Sequence, residues 1–211
     1  MSRLVTFGCS HTYGLGLPDV ILNGTVNHTA GPSKVAWPAW LSKELSLELV
    51  NMASPGRSNA RTLQEILTFE FYPDDQVIIL WASIARDLLF MEDGSEFNVG
   101  SWNNDNDITK QYYSLHSDLD MAIKTLTCIH HSDMFFKCKN ITVNHFLYNT
   151  KFNNSLTPAR DKCSWFDTQV EYVFLQDMAC DFALDKYHYG VKTHKKISDY
   201  IKGKLCQNKS I

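Results

Sequence analysis

The stretch Gln76-Val77-Ile78-Ile79-Leu80-Trp81-Ala82 constrains the fold more than any other part of the chain. From Val77 to Trp81 every position is apolar, so a strand built from it has to be covered on both faces. A parallel sheet between two layers of helices meets that requirement. The rest of the chain supplies matching parts. Leu4-Val5-Thr6-Phe7, Leu47 to Asn51, and Asn140 to Tyr148 with its polar end at Asn149-Thr150 read as further strands. Helical spacing of apolar residues runs through Val35 to Leu47, Ala60 to Phe71, Tyr112 to Phe136 and Val191 to Leu205. Pro38 fits the first of these helices only in its opening turn, and Ser58 or Asn59 is placed to cap the second. Strands alternating with helices in this order predict a three-layer α/β/α sandwich on a mostly parallel sheet.

A length of 211 residues with 44% hydrophobic content suits one domain spanning 1–211, and no repeat divides it. Residues Leu15 to Ser33, Met91 to Asp107 and Asn153 to Cys163 read as loop, the second as a flexible insertion, while Trp165 to Leu184 is ambiguous between helix and strand. With 20 Lys and Arg against 23 Asp and Glu the net charge is −3, so no basic excess points to nucleic acid. The lysines between Lys192 and Lys204 read as the solvated face of the last helix. Six cysteines without a C-x-x-C pair read as reduced thiols rather than a disulfide scaffold. The apolar run before Gly8 is too short for a signal peptide, and no segment has the length of a membrane helix. A soluble cytoplasmic protein is the expectation, and triplets such as Asn23-Gly24-Thr25 carry little weight as glycosylation sites.

Ligand clefts of parallel sheets open beyond the carboxyl ends of the strands, where Ser10, Gly56 and Ser83 should meet. Ser10 stands on a tight turn between Gly8 and Gly14, directly after the first strand. At the other end of the chain, Asp185 and His188 are three residues apart. A serine hydroxyl needs a base to take its proton, and the base needs a partner to fix its tautomer, so Ser10, His188 and Asp185 are a candidate triad. The plainer readings are a serine bonded within its own turn and a structural Asp–His pair. Cys9 reads as a buried filler, with a cysteine nucleophile as its alternative. His130 and His131 with Cys128 and Cys138 lack zinc-site spacing, so no metal and no cofactor is expected.

The arrangement resembles the SGNH, or GDSL-type, hydrolases. That family opens with G-D-S-x-T-x-G after its first strand and closes with D-x-x-H before its last helix. Here Gly8-Cys9-Ser10-His11-Thr12-Tyr13-Gly14 and Asp185-Lys186-Tyr187-His188 occupy those places, so the likeness spans essentially the whole chain. It implies a flavodoxin-like sandwich and a serine esterase with Ser10, His188 and Asp185 as triad. Asn51-Met52-Ala53-Ser54-Pro55-Gly56 is similar to the second family block, which makes Gly56 and the Ser10 backbone oxyanion donors by likeness. The sequence departs from the family at Cys9, which replaces the motif aspartate. It departs again after Trp81, where Ala82-Ser83-Ile84-Ala85-Arg86 has no asparagine for the third donor. Ser83, Arg86 and Asn59 are the candidates for that role. The implied substrates are small acyl esters, among them acetyl groups on carbohydrate. Trp102 and the other tryptophans read as core or lid residues, with stacking on a sugar ring as the alternative for Trp102. A non-catalytic binding module on the same fold and an acyltransferase using the same triad are the alternatives.

Overall fold

The computed structural model describes residues 2–22, 25–26, 31–148, 154–173 and 175–208. Asn23 and Gly24 of the glycosylation triplet, Asn149 and Thr150 at the expected strand end, and Asn153 lie outside these residues. In chain order the elements are β1 (Arg3–Gly8), the single turn α1 (Ser10–Tyr13), β2 (Ile21–Leu22), β3 (Thr25–Val26), α2 (Trp37–Leu45), β4 (Glu48–Asn51) and α3 (Asn59–Thr68). Next come β5 (Gln76–Trp81), β6 (Asp87–Phe90), β7 (Glu96–Val99), a 3₁₀ turn at Ser101–Asn103, α4 (Asp107–Leu115) and α5 (Asp118–Lys139). The chain continues through β8 (Thr142–Tyr148), α6 (Leu156–Lys162), β9 (Val170–Val173), α7 (Leu175–Met178) and α8 (Val191–Asn208).

Five strands form one sheet in the order β4-β1-β5-β8-β9, every neighbouring pair parallel. This is the flavodoxin-like 2-1-3-4-5 order when only the sheet strands are counted. The apolar run of β5 lies between β1 and β8 and splits by parity, as a strand must. Val77, Ile79 and Trp81 join Val5 and Phe7 against Ile66 of α3 and Ala122, Leu126, Ile129 and Phe136 of α5. Ile78 and Leu80 join Leu4 on the opposite face, against Trp37 and Leu41 of α2 and Ile197 and Ile201 of α8. Each of these side chains adds roughly 1.5–3 kcal/mol by leaving water, so cutting Ile79 back to alanine would damage the sheet centre directly.

Local signals account for the element boundaries. Pro38 lies in the first turn of α2. Ser58 caps α3, its Oγ accepting from Arg61 N at 3.2 Å. The single helix expected over Tyr112 to Phe136 is instead two, because Ser117 starts a new one, its Oγ accepting from Asp120 N at 3.2 Å. Residues expected as loop in 153–163 hold α6, whose Leu156 and Ala159 are buried against the α5 side of the sheet. Its Pro158 falls in the first turn, where a missing N–H has no cost, and seven residues are too few for periodicity to register. The ambiguous 165–184 stretch supplies the edge strand β9 and the short α7.

Residues 91–107, expected as a flexible insertion, contain the second strand of an antiparallel hairpin, β6–β7, and the 3₁₀ turn that carries Trp102. All six cysteines are free thiols, Cys9 among the most buried. No helix among the described residues is long and apolar enough to cross a membrane.

Candidate active site

The site forms at the carboxyl edge of β1 and β5, where successive connections leave the sheet in opposite directions. Gly8 ends β1 under a tight constraint: a Cβ there would collide with Thr12 Oγ1 and come within 2.8 Å of the Leu80 carbonyl oxygen. Only glycine lets the chain fold back so closely over the end of β5. The turn closes when Thr12 N and Tyr13 N donate to Cys9 O, both at 2.9 Å. Neighbouring segments lock it in place. Asn51 Nδ2 donates to Thr12 O at 3.0 Å, its Oδ1 accepts from Ala53 N at 3.1 Å, and Ser54 N donates to Gly8 O at 3.3 Å. Ser10 is thereby buried, with the Gly56 turn beside it.

Asp185 and His188 share a compact turn ahead of α8. Asp185 Oδ1 accepts from Tyr187 N at 2.9 Å and His188 N at 3.0 Å, while its Oδ2 lies 2.7 Å from His188 Nδ1. Lys186 takes φ 61° to let the backbone curl around that carboxylate. Burial alone would favour the neutral acid, but the His188 and Tyr187 amides and the His188 ring together hold the Asp185 pKa below its ordinary value. It is therefore a carboxylate at neutral pH, fit to orient an imidazole. The turn is tied to the start of the chain by Leu184 N donating to Gly16 O at 2.9 Å. Gly16 has φ +83°, and a Cβ on it would lie 2.6 Å from Asp185 Cγ. No sequence pattern singled Gly16 out, because its constraint comes from a residue 169 positions away (185 − 16).

Ser10, Leu15, Pro55, Gly56, Arg86, Trp102 and His188 line one cleft of about 410 Å³. The structure thus brings Ser10, His188, Gly56 and Arg86 together, with Asp185 behind the histidine. Ser83 lines the adjoining cavity instead; its Oγ accepts a long bond, 3.4 Å, from Ala85 N. Asn59 does not line the Ser10 cleft. Its amide holds the end of β5, Nδ2 donating to Ala82 O and Thr125 Oγ1 at 3.2 Å each and Oδ1 accepting from Ala82 N at 2.8 Å. Both donors are used, which corrects the expectation of an oxyanion role. Trp102 lines the cleft, and the Arg86 guanidinium lies 4.8 Å from its ring.

His11, which sequence reasoning passed over, packs its ring 5.4 Å from His188, 5.0 Å from Tyr148 and 5.5 Å from Tyr189. Burial first, then the positive potential of His188 and Arg86, push its pKa well below the ordinary histidine value, so it stays neutral. Among the described residues no group of three or more His, Cys, Asp or Glu is arranged to hold a metal ion.

No protein-family model matches the chain, and no curated protein matches it by sequence. Solved structures do match by shape. The psychrotrophic esterase EstA from Pseudoalteromonas sp. superposes with TM-score 0.61 at 12% identity, covering 99% of each chain. An acetyl xylan esterase from the rumen bacterium Butyrivibrio proteoclasticus gives 0.57 at 13% identity, over 97% of this chain and 64% of that one. A family two carbohydrate esterase from Clostridium thermocellum, solved in complex with cellohexaose, gives 0.59 at 13% identity, over 99% of this chain and 65% of that one. The chain therefore spans about two thirds of the length of those two carbohydrate esterases. It has the α/β fold of the SGNH hydrolases.

Proposed function

We propose that this protein is a serine esterase acting on small acyl esters. The observation that carries the reading is the shared cleft of Ser10 and His188, with Asp185 Oδ2 2.7 Å behind the imidazole. In this mechanism Ser10 Oγ attacks the ester carbonyl while His188 Nε2 takes its proton. Asp185 holds the Nδ1–H tautomer and stabilises the imidazolium that forms. The backbone N–H groups of Ser10 and Gly56 receive the developing oxyanion. His188 then returns its proton to the leaving alcohol, and water, activated by the same histidine, releases the acid.

Among the described residues no side-chain amide lines the cleft, and two backbone donors serve the oxyanion in this mechanism. Loss of one donor commonly lowers kcat on the order of 100- to 1000-fold, and turnover should be correspondingly modest. An exposed Trp102 at the cleft supports a sugar-borne acyl group as substrate, as does the similarity to esterases that act on carbohydrate. The test is hydrolysis of a short-chain 4-nitrophenyl ester together with fluorophosphonate labelling, in wild type and Ser10→Ala. Labelling and turnover that both vanish in Ser10→Ala support the esterase; an unlabelled wild type with background hydrolysis overturns it. The absence of a side-chain amide among the described lining residues favours a second reading, a module that binds such an ester without cleaving it. Tight binding by wild type with the ester recovered intact would select that reading. Transfer of the acyl group to an added alcohol would mark a transferase.

A further inference from the structure

Beside the Ser10 cleft lies a larger cavity of about 580 Å³, and Arg86 belongs to the walls of both. The Arg86 side chain makes no hydrogen bond or ion pair among the described residues, and its Nη1 is shut off from solvent without a partner. The face of Trp102 lies beside it, 4.8 Å from the guanidinium. The adjacent carboxylate does not neutralise it. Asp87 is turned away, its Oδ2 accepting from Tyr112 OH at 2.6 Å and Lys124 Nζ at 3.1 Å and its Oδ1 from Leu88 N at 2.9 Å. A second orphan stands in the same cavity wall: His11 is 8% exposed, and its Nδ1 has no partner among the described residues. A half-buried guanidinium is costly to leave unmet, so Arg86 points to an acceptor beyond those that the described residues supply.

We propose that this cavity is a subsite for a carboxylate on the substrate, bound by Arg86, so that the preferred ester is one that carries a single negative charge a few atoms from the scissile bond. The proposal rests on the esterase reading for its location but not for its binding test. A guanidinium presents paired donors that match a carboxylate's two oxygens. Ala85, Met121, Tyr113 and Tyr148 provide apolar wall for a short carbon chain between the two groups. A monoanion suits the cavity better than a phosphate dianion. Among the described residues Arg86 is the only Lys or Arg lining it, His11 is neutral, and the exposed Asp118 adds a negative charge to the lining.

The test measures binding to Ser10→Ala, which cannot form an acyl-enzyme, by titration calorimetry. Each of two ester pairs sets a free carboxylate against its uncharged methyl ester. Monomethyl glutarate against dimethyl glutarate places the carboxylate on the acyl part, and acetoxyacetate against methyl acetoxyacetate places it on the alcohol part. In at least one pair the carboxylate should bind about 10- to 100-fold more tightly, the range of a charge-assisted hydrogen-bonded pair. That preference should vanish in Ser10→Ala with Arg86→Gln and be partly kept in Ser10→Ala with Arg86→Lys, with a thermal melt confirming that each variant is folded. No preference in either pair, or a preference that survives Arg86→Gln, overturns the proposal. In enzyme that retains Ser10, a third-oxyanion-donor role for Arg86 would lower turnover of charged and neutral esters alike, leaving their ratio unchanged. That outcome too overturns it. Failure of the esterase reading appears separately, as absent turnover in wild type, and leaves the binding comparison intact.

Discussion

Gly16→Ala isolates the packing that holds the triad acid in place. The new Cβ would lie 2.6 Å from Asp185 Cγ and 2.8 Å from Oδ1, whereas ordinary contact begins near 3.4 Å. The carboxylate or the Gly16 loop must therefore give by about 1 Å. A displacement of that size in a catalytic constellation costs on the order of 100-fold in rate, or about 2.7 kcal/mol of barrier. At φ +83° alanine also carries strain of about 1 kcal/mol, which lowers Tm by about 2–4 °C in a chain of this size. Such destabilisation is small against a typical 5–15 kcal/mol of folding stability, so it leaves the protein folded and cannot itself explain a 100-fold loss. The assay is kcat on a short-chain 4-nitrophenyl ester, with the rate of fluorophosphonate labelling as a second readout and a thermal melt alongside. Asp185→Asn sets the scale, with an expected fall of about 10⁴-fold because the imidazole loses the acceptor that fixes its tautomer. A folded Gly16→Ala protein with wild-type kcat would refute the claim that this contact positions Asp185 for catalysis.

Two further outcomes concern the frame around the site. His194 is buried, its Nδ1 accepts from Trp37 N at 3.1 Å, and burial above all drops its pKa to about 4. Against an unfolded value of roughly 6.5, the unfolded chain binds the extra proton between those limits, so stability holds above pH 6.5 and declines toward pH 4 by about 3 kcal/mol. Urea melts at pH 7, 5.5 and 4 should show that component in wild type and its loss in His194→Asn; equal acid sensitivity in both would sink the assignment. Asn59→Ala removes three hydrogen bonds at the end of β5 and leaves the buried Ala82 N–H unmet, a loss of about 2–4 kcal/mol that should lower Tm by about 5–10 °C, and an unshifted melt would contradict it.

What the sequence carried legibly was what depends on local pattern. The uninterrupted apolar run of β5 called for helices on both faces, and the parity split of Ile78 and Leu80 from Val77, Ile79 and Trp81 is that requirement met. Ser10 after β1 and the Asp185–His188 spacing were readable because each is a short motif whose geometry is set within a few residues. The hairpin at 87–99 and α6 were missed for opposite reasons. The hairpin is polar and exposed at its tip, so alternation is faint, while α6 is too short for a helical period and opens around a proline. Asn59 was misassigned because proximity in sequence to the Gly56 turn says nothing of which way an amide points. Its two partners, Ala82 and Thr125, come from β5's end and α5, and neither can be paired with it by spacing.

The departure after Trp81 takes a different meaning once Arg86 is seen in place. Read as a family motif, the segment Ala82-Ser83-Ile84-Ala85-Arg86 is a site with a donor missing. Read as structure, it is a turn, closed by Arg86 N donating to Ser83 O at 3.2 Å, that delivers a cation without a partner among the described residues to the wall of both cavities. Supporting contacts hold that turn from several sides: Tyr113 OH donates to Ala85 O at 2.7 Å, and Asp87 is bound by Tyr112 and Lys124. A turn fastened this firmly, with no acceptor for its guanidinium among the described residues, fits the proposal that charge arrives with the substrate. An enzyme that meets an anionic substrate there gains orientation from the binding of a remote group, which can offset part of what a weaker oxyanion hole gives up.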